Sequence, residues 1–129
     1  MIETTLGNIS VWSVSCIGVA KSASAFTTLE SKLPTLTGRK FYGCLIGNPY
    51  DGIYRACVAK IDSDKLNLES WVIPCGKYLK TKIKNWSGSE YLIGQTFSVM
   101  SKNISVDISR PSIEFYRSQQ EIILYLPIY

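Results

Sequence analysis

The hydrophobic and polar positions fall into one repeating order: strand, helix, strand, strand, and then the same again. Val11 to Lys21 alternates and is rich in Val and Ile, as a half-buried strand requires. Ser22 or Ser24 offers an N-cap for a helix whose apolar residues Phe26, Leu29 and Leu33 recur at helical spacing, and Pro34 stops it. Lys40 to Gly47 and Tyr54 to Ile61 read as a hairpin, with turn chemistry in Asn48-Pro49-Tyr50-Asp51-Gly52. A second round opens near Leu68. Trp71 to Lys84 reads as one long strand kinked or bulged at Pro74-Cys75-Gly76. Ser87 or Ser89 then caps a helix carrying Ile93, Phe97 and Met100, with Gly94 as a weak point inside it. Asn103 to Ser109 crosses to a closing pair, Ile113 to Arg117 and Glu121 to Ile128.

This order predicts an α+β domain over 1–129, built as a duplication with halves at about 9–66 and 67–129. Phe41-Tyr42 opens the third element of the first half and Phe115-Tyr116 stands in the matching slot of the second, which makes Tyr42 the expected counterpart of Tyr116. Two such units side by side form a largely antiparallel sheet with both helices on one face. A seam or concave surface between the halves is left for a ligand.

The closing pair holds the chain's most pointed chemistry. Successive strand residues face opposite ways, so Glu114 and Tyr116 share one face while Ile113 and Phe115 share the other. A carboxylate beside a tyrosine on an apolar sheet is either an edge-strand solubiliser or the polar point of a greasy pocket.

Composition narrows the chemistry. At 129 residues the chain is long enough for one real core, and 46% hydrophobic against 19% charged residues is ordinary for a globular domain. Eight tyrosines suit ligand pockets, because each pairs an apolar ring with a polar tip. The net charge of +4 is spread out. Its densest run, Lys77, Lys80, Lys82 and Lys84, reads as a solvated strand face rather than the clustered field that nucleic acid needs. No histidine is present, which removes histidine-ligated metals and histidine-based nucleophile pairs. Cys16, Cys44, Cys57 and Cys75 lack C-x-x-C spacing, and three of them lie in strand-like runs where a reduced thiol is usual. The apolar run from Ile9 is preceded by Glu3 and by no basic residue, so it reads as a strand of a cytoplasmic protein and not as a leader. No stretch is long enough to span a membrane as a helix.

Several segments taken together resemble the GyrI-like effector-binding domains, which also form the drug-binding half of AraC-type and MerR-type regulators and occur as stand-alone integron-cassette proteins. They are Gly38-Arg39-Lys40-Phe41-Tyr42-Gly43, Tyr54-Arg55-Ala56-Cys57-Val58, Ile73-Pro74-Cys75-Gly76-Lys77-Tyr78 and Arg110-Pro111-Ser112-Ile113-Glu114-Phe115-Tyr116, with Leu124-Tyr125-Leu126-Pro127-Ile128 at the end. The resemblance implies a duplicated fold with a ligand in the seam, and an aromatic pocket that takes bulky, planar, often cationic compounds. Glu114 is then the charge partner and Tyr116 its neighbour, Tyr125 completes that wall, and Tyr42 is the symmetric match. Tyr54, Trp71, Tyr78 and Trp86 are looser candidates. Two departures stand out: Cys75 replaces a glycine usual at that kink, and no DNA-binding segment accompanies the domain.

Three functions follow as expectations. The first is a stand-alone binding protein for hydrophobic cations, without cofactor or metal. The second is a hydrolase of cyclopropane-bearing genotoxins with Glu114 as base. The third is a protein-interaction role such as gyrase-inhibitor antagonism. A protein partner or a homodimer is compatible with any of them.

Overall fold

The computed structural model describes residues 1–129. Its elements in chain order are β1 (Ile2–Leu6), β2 (Ile9–Ile17), α1 (Ser22–Ser31), β3 (Phe41–Ile46), β4 (Ile53–Ala59), β5 (Glu69–Ile73), β6 (Gly76–Lys84), α2 (Tyr91–Met100), β7 (Ser112–Tyr116) and β8 (Glu121–Pro127). All eight strands form one antiparallel sheet in the order β1-β6-β8-β7-β3-β4-β2-β5. The fold is α+β, a curled half-barrel carrying two helices.

Strand alternation sorts the core into two layers. One face of β8 presents Ile122, Leu124 and Leu126 beneath α2, where Met100 and Phe97 meet them. The same face of β4 presents Ala56 and Val58 beneath α1, which contributes Ala25 and Leu29 at helical spacing. Both helices therefore cover one side of the sheet. The other face carries Val11, Tyr42, Cys44, Cys57, Ile73, Tyr78, Ile113, Ile123 and Tyr125, every one buried. No helix packs there. The curl that carries the outer strands over the middle ones removes that face from water.

The expected hairpin at β3 and β4 is present, and its turn is built as the residues predict. Asn48 Oδ1 accepts the N–H groups of Tyr50 and Asp51, and Asn48 O accepts that of Gly52. The loop is tied to the start of α1, because Gly18 N–H donates to Gly52 O and Val19 N–H to Pro49 O.

Three expectations change. The run from Trp71 to Lys84 is two strands on opposite sides of the sheet: β5 hydrogen-bonds to β2 and β6 lies between β1 and β8. Proline lacks an N–H and Gly76 has φ of 145°, so Pro74-Cys75-Gly76 ends one strand and turns the chain into the next. Second, β1 pairs with β6 although its five residues show no clear alternation. Third, the serines do not cap the helices. The N-cap positions are Lys21 and Glu90, neither with a side-chain cap. A 3₁₀ turn at Val19–Lys21 leads into α1 instead.

Candidate ligand-binding site

The sheet's middle strands, β7, β3 and β4, bring three polar tips together on the helix-bearing face. Glu114 leaves β7 there. Its Oε1 accepts a hydrogen bond from the Tyr116 hydroxyl at 2.6 Å and a second from the Tyr54 hydroxyl at 2.8 Å. Tyr116 is two residues along the same strand, as the alternation predicts. Tyr54 comes from β4, two strands away, and its phenol crosses β3 to arrive. Both donors fall on one oxygen, and Oε2 receives no hydrogen bond from protein.

Aromatic rings enclose these tips. Phe26 of α1 meets Tyr116 edge-on at 5.4 Å and Tyr54 at 6.3 Å. Trp86, in the loop before α2, meets Tyr116 at 5.4 Å and is held by its Nε1–H to Ser118 O at 3.1 Å. The cleft between α1 and α2 is divided by this cluster into two compartments. One, about 530 Å³, is reached by Tyr54, Glu114, Glu90, Gly94 and Phe97. The other, about 600 Å³, lies against Phe26, Glu30, Leu36 and Phe41. Ser22, Trp86 and Tyr116 line both.

Charge in the cleft has one sign. Of the 14 Lys and Arg side chains none lines either compartment, whereas Glu114, Glu90 and Glu30 do. Burial pushes the Glu114 carboxyl above its ordinary 4.5, and the two phenol donors pull against that rise by stabilising the ionised form. The phenols respond in turn. Burial first, then the facing Glu114 charge, drives Tyr54 and Tyr116 far above the ordinary tyrosine range, so both remain protonated donors.

The eight side chains expected at the site divide evenly. Glu114, Tyr116, Tyr54 and Trp86 meet in the cleft. Tyr42, Tyr125, Tyr78 and Trp71 do not, because they lie on the opposite face of the sheet. Tyr125 is directly opposite Ile113, while Glu114 is opposite Leu124, so Tyr125 cannot complete the Glu114 wall. Tyr42 is opposite Phe115 and stacks on it at 4.8 Å, while Tyr116 is opposite Phe41, so Tyr42 is not the match of Tyr116 across the seam. Tyr78 is buried with its hydroxyl on Pro74 O at 2.7 Å, and Arg110 lies over its ring. Trp71 stacks under Arg55. Phe26, Gly43 and Glu90 escaped the sequence reading. Phe26 looked like plain helix core, and Gly43 has no side chain to notice.

No protein-family model matches the chain, and no curated protein matches it by sequence. Solved structures match it in shape. An integron cassette protein from the mobile metagenome of Vibrio cholerae superposes with a TM-score of 0.74 at 11% identity, over 99% of this chain and 95% of that one. The C-terminal domain of EcmrR gives 0.66 at 11%, over 99% and 96%. SAV2435, solved bound to tetraphenylphosphonium, gives 0.63 at 10%, over 99% and 93%. At such identities the likeness is one of fold: the chain has the curled eight-stranded, two-helix fold that these three proteins share.

Proposed function

We propose that this chain binds hydrophobic cations of drug-like size, with Glu114 as their counter-charge in an aromatic cleft, in the manner of a GyrI-like effector-binding domain. The observation that carries the reading is Glu114 itself, an acid held by two phenol donors in a cleft that no lysine or arginine lines. A diffuse aromatic cation loses little on leaving water, and one low-dielectric carboxylate supplies its partner. The faces of Tyr116, Phe26 and Trp86 add cation–π attraction of about 0.5 to 2 kcal/mol each. SAV2435, of the same fold, is bound to a cation of this kind.

The site's place in the sheet also favours a duplication into halves 9–66 and 67–129. The strand order has the same form from either end, β1-β6-β8-β7 answering β5-β2-β4-β3: β5 of the second half pairs with β2 of the first, and β1, ahead of residue 9, takes the matching outer place beside β6. Glu114 and Tyr54 then belong to different halves and meet at the seam.

A thermal-shift screen of wild type and Glu114→Gln against planar cations and matched neutral compounds tests the reading. A cation at about a hundredfold its dissociation constant should stabilise the wild type by about 2.7 kcal/mol. Stabilisation confined to cations and to wild type supports the proposal. Equal responses from the two proteins would refute it.

A second reading, hydrolysis of a reactive electrophile, draws on the same carboxylate. Desolvation that raises Glu114 makes it a better general base for water. Turnover of a cyclopropane-bearing compound that disappears in Glu114→Gln would favour it over simple binding.

A further inference from the structure

Gly43 stands in the middle of β3, an interior strand bonded to β4 on one side and β7 on the other. Glycine weakens such a strand, since it adds no packing and loses much freedom on folding. Its backbone does not demand glycine: unlike Gly18, Gly38, Gly47, Gly76 and Gly88, it has no positive φ. The demand comes from space. A Cβ at Gly43 would overlap the Tyr54 hydroxyl and Glu114 Oε1, and would come within 2.9 Å of Tyr54 Cζ.

The strand order explains the crowding. Tyr54 is on β4, Glu114 on β7, and β3 lies between them. Neighbouring strands are about 4.8 Å apart, so the phenol must cross about twice that distance over β3. On that face β3 presents Phe41, Gly43 and Leu45, and Gly43 pairs directly with Glu114. Only the bare Cα of Gly43 leaves the crossing open.

We infer that Gly43 is a positioning residue of the carboxylate site: its missing side chain is the gap through which the Tyr54 phenol reaches Glu114. The consequence for ligand choice rests on the cation reading above. The geometry does not, so the test includes an arm that needs no ligand.

That arm follows the Glu114 side-chain carboxyl by NMR against pH in wild type, Gly43→Ala, Tyr54→Phe and the double variant. The other titratable groups of the cleft are Tyr54, Tyr116 and Glu90 in the same compartment and Glu30 in the other. Losing a donor to the ionised form should raise the midpoint in Tyr54→Phe. Gly43→Ala should raise it likewise, and the double variant no further, since both changes remove one contact. The second arm measures tetraphenylphosphonium affinity near neutral pH, which should fall several-fold in Gly43→Ala while a neutral tetraphenyl analogue binds as before.

An unmoved midpoint in folded Gly43→Ala, or shifts that simply add, overturns the inference. If Gly43→Ala does not fold, the double variant decides. Recovery on removal of the Tyr54 oxygen supports the gap, and failure of both counts against it, since the overlap with Glu114 Oε1 would then be what excludes a side chain at Gly43. A raised midpoint with unchanged cation affinity keeps the positioning role and counts against Glu114 as the cation's partner.

Discussion

Glu114 concentrates the chemistry of the cleft because two opposed effects meet on one carboxyl. Burial disfavours its charge, and two phenols on Oε1 restore part of that cost. Its folded pKa lies above the ordinary 4.5, so the folded state holds this proton more tightly than the unfolded chain does. Stability from this group is therefore greatest below 4.5 and declines as pH rises through the raised value. Glu114→Gln removes the dependence, and the melting temperature of the variant should gain on wild type as pH rises through that window. Tyr116→Phe takes away a hydrogen bond to a charged acceptor, worth about 1.5 to 3 kcal/mol. Its cost in thermal unfolding should be larger above the Glu114 titration than below it. Alternation along one strand made the Glu114–Tyr116 pair legible in the sequence. Tyr125 and Tyr42 were misplaced because parity says nothing about a neighbouring strand until register is known. Pairing Tyr125 with Ile113 rather than Glu114 reverses its face.

Among elements, the loops that carry site residues are fixed by contacts which spacing does not reveal. Trp86 stands outside both α2 and β6, yet it separates the two compartments and is anchored to Ser118 O in the turn between β7 and β8. Of the three tryptophans it alone lines the cleft, so a bound cation should change the fluorescence of wild type and far less that of Trp86→Phe. On the α1 side, Asp64 ties the segment after β4 to the sheet. It accepts from both terminal nitrogens of Arg39 at 2.8 and 2.9 Å and from Trp12 Nε1 at 2.9 Å. The Arg39 guanidinium holds the Asp64 carboxyl down at about 2, against an ordinary 3.8. This group therefore adds stability above 3.8 that is lost as pH falls toward 2, opposite in sign to Glu114. With the ion pair almost wholly buried, Asp64→Ala should cost about 3 kcal/mol in chemical denaturation at neutral pH. Neither β1 nor the split of β5 from β6 was legible in the sequence. Five edge residues carry too little pattern, and Pro74-Cys75-Gly76 marks a break without saying which edge each side joins.

For the whole molecule, the sheet is the scaffold and its helix-bearing side carries the cleft. The buried tyrosines beneath it, Tyr42, Tyr78 and Tyr125, are packing for the curl and not pocket wall. All four cysteines are free, Cys44 and Cys57 buried and Cys75 exposed. A maleimide should label Cys75 readily in the native protein and reach Cys44 and Cys57 only on unfolding, as mass spectrometry of the peptides would record. No helix is long and apolar enough to cross a membrane. The order of strands and helices was readable because each alternation or helical spacing is local, whereas the cleft arises from the sheet order, which no local pattern encodes. Whether Glu114 pairs with a hydrophobic cation is decided by calorimetric titration of tetraphenylphosphonium and a neutral tetraphenyl analogue into wild type and Glu114→Gln. The cation should lose at least tenfold in affinity, about 1.4 kcal/mol, in the variant while the neutral compound is unaffected. Equal affinity of the cation for both proteins would rule the pairing out.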